Sequence, residues 1–261
     1  MKLDDEHLVG RLGLAWCLEQ KGQVAEAISQ YRTLVEQAWL RERTTDASTY
    51  RFKPSVTEEA GRRLIALLAG GDAEEIQRIQ ARMTEMAGRS VRAITPLVVP
   101  LASRWSPFDG LVHQAVFDAD GSGVPKRWSW IGREAAWLVY DNRGGTIDSA
   151  LQFFGSVTFW MFWDNGYEAL CALDDSGDGA LTGGELEHLA LWRDMNINGR
   201  SDPGEVTPLE HYGITALSCR HVLVTDEESS VGAYAPDGVR FVDGSTRPTY
   251  DLILRVVPTS R

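Results

Sequence analysis

Two stretches in the second half of the chain place oxygen-bearing side chains at alternate positions and close with a glutamate. The first is DDSGDGALTGGE, from Asp174 to Glu185; the second is DMNINGRSDPGE, from Asp194 to Glu205. A hard cation such as calcium takes six to eight oxygens. A twelve-residue loop supplies them from side chains at positions 1, 3, 5, 9 and 12 and from the carbonyl at position 7, with a glycine at position 6 for the sharp turn. In the first loop Asp174, Ser176 and Asp178 take positions 1, 3 and 5, Gly179 takes 6, Ala180 offers its carbonyl, Thr182 takes 9 and Glu185 takes 12. In the second, Asp194, Asn196 and Asn198 take positions 1, 3 and 5, Gly199 takes 6, Arg200 offers its carbonyl, Asp202 takes 9 and Glu205 takes 12. Position 8 is apolar Leu181 in the first loop but Ser201 in the second. This chemistry predicts a calcium ion in each loop. Three carboxylates per loop predict weak affinity, on the order of 10⁻⁵ to 10⁻³ M.

The elements that must hold these loops are read from apolar spacing. Tyr167–Leu173 reads as a helix entering the first loop and Leu186–Trp192 as a helix leaving it. Glu185 and Asp194 are nine residues apart, so one short helix serves both loops and holds the sites about 14 Å apart at its two ends. Thr207, Pro208 and Glu210 read as a capping box with Pro at the first helical position, which starts the second exit helix late and gives Glu205 a weaker claim as a ligand than Glu185. Two more acidic turns are read without metal: Asp118-Ala-Asp120-Gly-Ser122-Gly123 as a β-turn, and Asp141–Asp148 as a loop one residue short with Arg143 where an oxygen belongs.

The remainder divides near residue 90. Residues 5–90 read as helical, with helices on either side of Lys21-Gly22, then helices opened by capping boxes at Ser55–Glu58 and Asp72–Glu75 and running to Ala69 and Ala87. From Val91 the texture is β-rich, with candidate strands in Val91–Leu101, Leu111–Phe117, Lys126–Ile131, Ala136–Tyr140, Ile214–Val224, Val239–Val242 and Tyr250–Val256. Nine tryptophans include a cluster of Trp128, Trp130, Trp137, Trp160 and Trp163. Buried, these build a core; exposed and coplanar, they would stack on sugar rings, so carbohydrate binding is an alternative.

A net charge of −11 disfavours a nucleic-acid partner. No run of about 18 apolar residues predicts a membrane span, and the acidic opening MKLDDEHLVG does not read as a signal peptide, so a soluble, cytoplasmic protein is expected. Cys17, Cys171 and Cys219 show no disulfide framework or zinc spacing and read as free thiols. None of the five histidines pairs with another at i, i+4, and there is no Gly-x-Ser-x-Gly elbow or phosphate-binding Gly loop with Lys. No catalytic residue is expected.

From Phe117 to Ser218 the phrases FDADGSG, FFGS, NGYEALCALDDSGDG, LALWRD and PGEV resemble EF-hand-containing bacterial proteins of mostly undefined function; similar loops occur in large secreted calcium-binding repeat proteins. The resemblance implies calcium binding and no catalytic activity. Near the N-terminus, Leu14, Ala15, Leu18, Gly22, Ala27, Tyr31 and Leu34 resemble the packing positions of one tetratricopeptide repeat, which implies an interaction surface for a protein partner. The expected fold class is α+β, with a helical region over 1–90 packed on a mixed β-domain over 91–261 that carries tandem EF-hand-like loops.

Overall fold

The computed structural model describes residues 8–44, 55–68, 70–71, 73–87, 94–102, 104–107, 110–121, 123–161, 163–226 and 228–257. Its class is α+β, with N-terminal helices followed by antiparallel sheet. Chain contacts divide it into two compact units, Met1–Ala93 with Trp160–Phe162, and Ile94–Phe159 with Trp163–Arg261. Ala69, Asp72, Val91 and Ser122, and residues 5–7, 45–54 and 88–93 of the regions expected to be helical or strand, lie outside the described residues.

The helical unit holds α1 (Leu8–Gln20), α2 (Val24–Glu42), α3 (Val56–Leu67) and α4 (Ala73–Ala87). Gly22 turns α1 into α2 with φ of 74°, a left-handed angle that a side chain resists. Ala15 and Ala27 are fully buried and let α1 and α2 approach, while Tyr31 and Leu34 fill their core. Leu14, read as a packing position, is instead exposed. At α3 the Ser55 hydroxyl accepts the Glu58 N–H, so Ser55 caps the helix as its spacing to Glu58 predicts. The end of α2 adds a second cap: the buried Glu42 carboxylate accepts the Val56 N–H and the Ser55 hydroxyl. Its negative charge there meets the positive end of the α3 dipole.

The β unit begins with β1 (Leu97–Pro100), β2 (His113–Phe117), β3 (Lys126–Trp130) and β4 (Ala135–Tyr140). It continues through α5 (Gly166–Cys171), β5 (Ala180–Thr182), β6 (Leu189–Trp192), β7 (Val206–Pro208), β8 (Ile214–Ser218), β9 (Val222–Leu223), β10 (Val231–Phe241) and β11 (Thr246–Leu252). β2 and β3 pair as a two-stranded sheet. The other strands form a nine-stranded sheet in the order β5-β8-β10-β11-β1-β4-β6-β7, with β9 on β10 and every ladder antiparallel.

The helix expected over Leu186–Trp192 is absent. Residues Gly183–Leu186 form a single 3₁₀ turn, and Leu189–Trp192 is β6, paired with β4 from Leu189↔Tyr140 to Trp192↔Trp137. All four β6 residues are buried, so the strand shows a continuous apolar run in place of alternation, a pattern that period alone does not separate from a buried helix. The two loops therefore do not sit at the ends of a shared helix. The first runs into β5 at one edge of the sheet, and the second joins β6 to β7 at the other. The expected helix start at Thr207–Glu210 is also replaced. Thr207 pairs with Leu191 in the β6–β7 ladder, and Pro208, on a terminal strand that can spare its N–H, precedes a 3₁₀ turn over Leu209–Tyr212.

Two cores hold this unit together. One gathers Leu97, Leu138, Phe154, Tyr167, Leu181, Leu191, Leu217 and Val239. The other is aromatic: Phe117, Trp130, Trp137, Phe153 and Trp192 contact one another with ring centroids 5.0–6.3 Å apart. Trp128, Trp130, Trp137 and Trp192 are at most 1% exposed. Those rings present no open face to a sugar.

Asp251 on β11 is 1% exposed and accepts the Gly166 N–H at the start of α5. Burial pushes its carboxyl up to about 8, against roughly 3.9 in an unfolded chain. Below about pH 4 both states hold the proton and this group's contribution is fully present. Between that pH and about 8 the unfolded chain releases a proton that the folded chain keeps, so stability falls with rising pH by up to about 1.4 kcal/mol per pH unit. Asp251→Asn lacks this dependence. Its unfolding free energy relative to the parent should rise from pH 5 to pH 7.5 in denaturant titrations, and a pH-independent difference would contradict the assignment.

Candidate metal centre

The two acidic loops share one internal geometry. In the first, Asp174 at position 1 accepts N–H bonds from Asp178 and Gly179, at positions 5 and 6, and from Gly177. In the second, Asp194 accepts the equivalent bonds from Asn198 and Gly199. At position 12, Glu185 folds back to accept the Thr182 N–H at position 9 and the Ser176 N–H. Glu205 likewise accepts the N–H of Asp202, also at position 9, and reaches the N–H of Met195, one position earlier than Ser176 in the first loop. At position 5, Asp178 accepts from the Ala180 N–H and Asn198 from the Arg200 N–H. The backbones match as well: positions 4 and 6 both have positive φ, at Gly177 (69°) and Gly179 (89°) in the first loop and Ile197 (59°) and Gly199 (72°) in the second. A β-branched residue held at positive φ is strained, and its occurrence at Ile197 shows the loop path overriding a local preference.

Glu185 and Glu205 are thus equivalent, although neither stands on an α-helix. Glu185 lies in the Gly183–Leu186 turn, where Thr182 and Glu185 complete a capping box. That Thr-x-x-Glu spacing is a local signal visible in the sequence. Ser201 at position 8 also finds its reason. Its hydroxyl accepts the Ile147 N–H at 2.8 Å and donates to the Ile147 carbonyl at 3.3 Å. The corresponding Leu181 makes its connection through the ladder with Leu217 of β8.

The loops differ in depth. The first is open to solvent, with Ser176, Asp178 and Thr182 exposed. The second grows out of the aromatic core: Asp194 and Glu205 are 2% and 7% exposed. The Trp130 indole N–H donates to Asp194 at 2.9 Å, and that of Trp192 points to Glu205 at 3.4 Å. Asn196 and Asn198 donate their amides to Asp202 at the mouth. Three of the loop carboxyls are held acidic. Asp174 lies below its ordinary range chiefly through the Gly179 N–H, Glu185 through the N–H groups of Thr182 and Ser176, and Asp202 through the two Asn amides. At neutral pH all three are anionic, as ligands for a hard cation must be.

Trp130→Phe keeps an aromatic side chain but removes the indole N–H that reaches Asp194 and part of a fully buried ring system. It should cost about 1.5–3 kcal/mol of stability, read in urea unfolding. A cost below about 0.5 kcal/mol, the ordinary scatter of neutral substitutions, would contradict the role given to that N–H.

The two other acidic turns carry cations of their own. The Lys126 ammonium pairs with Asp120, and Asp118 accepts the Ser149 hydroxyl. Arg143 pairs with Asp148 at 2.9 Å, while the Arg143 and Gly145 N–H groups donate to Asp141. A side-chain cation already meets one carboxylate in each of these turns, whereas in the two longer loops the position 1 and position 12 carboxylates meet neutral donors.

A family model described as the SPM domain matches residues 107–255. The iron-regulated protein FrpA of Neisseria meningitidis serogroup C is 31% identical over 93 residues, which is 34% of this chain and 8% of that protein. The chain therefore spans a small part of that relative's length. Among the described residues, no helix is long and apolar enough to cross a membrane.

Proposed function

The chain belongs to the SPM domain family over residues 107–255, and on that frame we propose that it binds calcium through two EF-hand-like loops, Asp174–Glu185 and Asp194–Glu205. One observation carries this reading: two segments of different sequence fold position 1 and position 12 carboxylates inward in the same way. A polar turn needs a single Asx cap. It does not need a glutamate that, twice, caps the position 9 N–H three residues before it and also reaches back nine or ten residues to the start of the loop, at Ser176 and at Met195.

The ion's role in this reading is structural. In the first loop it ties α5 to β5; in the second it ties β6 to β7. Neither loop sits between two α-helices, so the opening of a helix pair that serves calcium sensors has no counterpart here. No catalytic step is assigned. A protein partner on the N-terminal helical hairpin remains a second reading, motivated by exposed Leu14, Val24 and Leu40 on α1 and α2.

Thermal unfolding with and without calcium tests the proposal. Calcium at about 100 times the dissociation constant stabilises by roughly 2.7 kcal/mol per site. For a chain of this size that raises the melting temperature by several degrees per site, about 2–4 °C per kcal/mol. Equal melting temperatures in millimolar calcium and in chelator would remove the proposal's basis.

A further inference from the structure

Beside the first loop stands a second kind of ligand set. Cys171 is the last residue of α5, and Cys219 directly follows β8. The Cys219 N–H donates to the Gly179 carbonyl at 3.0 Å, which holds Cys219 against the loop at its position 6. The Asp174 N–H donates to the Cys171 carbonyl at 3.1 Å as the chain turns out of α5. Together these bonds bring two sulfurs and one carboxylate oxygen into a single group, each ligand atom of Cys171, Asp174 and Cys219 within 4.8 Å of the others. Cys219 is buried and Cys171 is exposed.

We propose that Cys171, Cys219 and Asp174 form a site for a thiophilic divalent cation of the zinc class. Calcium takes oxygen and leaves sulfur unused, whereas paired thiolates select zinc and its softer neighbours. A tetrahedral zinc ion with Zn–S bonds of about 2.3 Å holds its sulfurs roughly 3.8 Å apart. The group as it stands is within about 1 Å of that separation at its widest, a distance that side-chain rotation covers. Cys171 and Asp174 stand two residues apart at the end of a helix, the separation of a Cys-x-x-Cys pair with a carboxylate in the second place, and Cys219, just past β8, completes the group. Three protein ligands leave the fourth position to water on the solvent side, where Cys171 lies.

The site stands on this geometry and does not depend on the calcium reading. One consequence does depend on it. Asp174 is also position 1 of the first loop, so a zinc-class ion draws on a carboxylate that calcium needs, and it lowers calcium affinity there.

Cobalt(II) is the probe. Added to the reduced, chelator-stripped full chain, it should give a thiolate-to-cobalt charge-transfer absorption that saturates at one ion per chain and is bleached by zinc. Cys171→Ser, at an exposed position, should lose the band and keep its calcium response, which separates the two sites. Cys219→Ser should lose the band as well. Should that buried substitution impair folding, alkylation of the parent protein gives the same information, since zinc should slow modification of Cys171 at least tenfold. No band in millimolar cobalt, a band that survives in Cys171→Ser, or an alkylation rate indifferent to zinc would overturn the proposal.

Discussion

Glu185→Gln is expected to weaken calcium binding at the first loop by about 100-fold, close to 2.7 kcal/mol. The substitution keeps the length and one carbonyl oxygen but removes one of three negative charges and the second oxygen of the closing ligand, and charge count is what tunes affinity in such loops. The fold should barely notice. Glu185 is half-buried and bonds only loop N–H groups, those of Ser176 and Thr182. Glu205→Gln is expected to weaken the second loop similarly and to lower stability too, because Glu205 is 7% exposed and serves the N–H groups of Met195 and Asp202. Calorimetric titration of each variant checks both statements. If Glu185→Gln titrates like the parent, position 12 has been misassigned.

Gly199→Ala is the second large effect, and it falls on stability whether or not calcium is present. Gly199 has φ of 72°, which costs an L-residue about 1–2 kcal/mol. A Cβ there would also lie 2.7 Å from the Val116 carbonyl oxygen and 3.0 Å from the Ala115 Cβ on β2. Backbone atoms of a paired strand cannot give way cheaply, so a total of about 3–5 kcal/mol is expected, at the severe end for one substitution. Gly179→Ala at the same loop position is the control. Its φ is 89°, but its Cβ would meet the Arg220 side chain, with Nε at 2.9 Å, and that side chain is free to move aside. It should cost about 1–2 kcal/mol, the backbone share alone. Denaturant unfolding of the pair in chelator tests this. Equal losses would show that the approach of the second loop to β2 is not what holds Gly199.

The two acidic loops were legible in the sequence because their pattern is local. Asp174 to Glu185 and Asp194 to Glu205 each lie within one short segment, and in both the N–H of the loop glycine, Gly179 or Gly199, donates to the first aspartate. The flanks were not legible, and the reasons differ. Leu189–Trp192 became a strand because β4, some fifty residues earlier, pairs with it, and burial of all four side chains removed the alternation that marks a strand. β5 and β7 are three residues each, one lying inside its loop and the other ending in Pro208, too short to register in any periodicity. Tertiary pairing also decided the fate of Thr207, whose helix-capping role gave way to a ladder with Leu191.

The aromatic core shows the same limit from the other side. The alternation of Trp128 and Trp130 marks them as sharing a face of β3. That Trp130 would turn its indole N–H to Asp194, 64 residues away, could not be read locally. This contact explains why the second loop keeps its form without an exit helix, since the core beneath it supplies the anchor that a helix would otherwise provide.

Calcium titration of the chelator-stripped full chain by calorimetry, with magnesium as the control, tests ion binding by the two loops most directly. Saturable heat is expected for two calcium ions per chain in the 10⁻⁵ to 10⁻³ M range typical of weaker sites, with no comparable response to magnesium, which demands a smaller octahedral cage. Absence of saturable heat up to millimolar calcium would contradict such binding and leave the two loops as internally bonded turns.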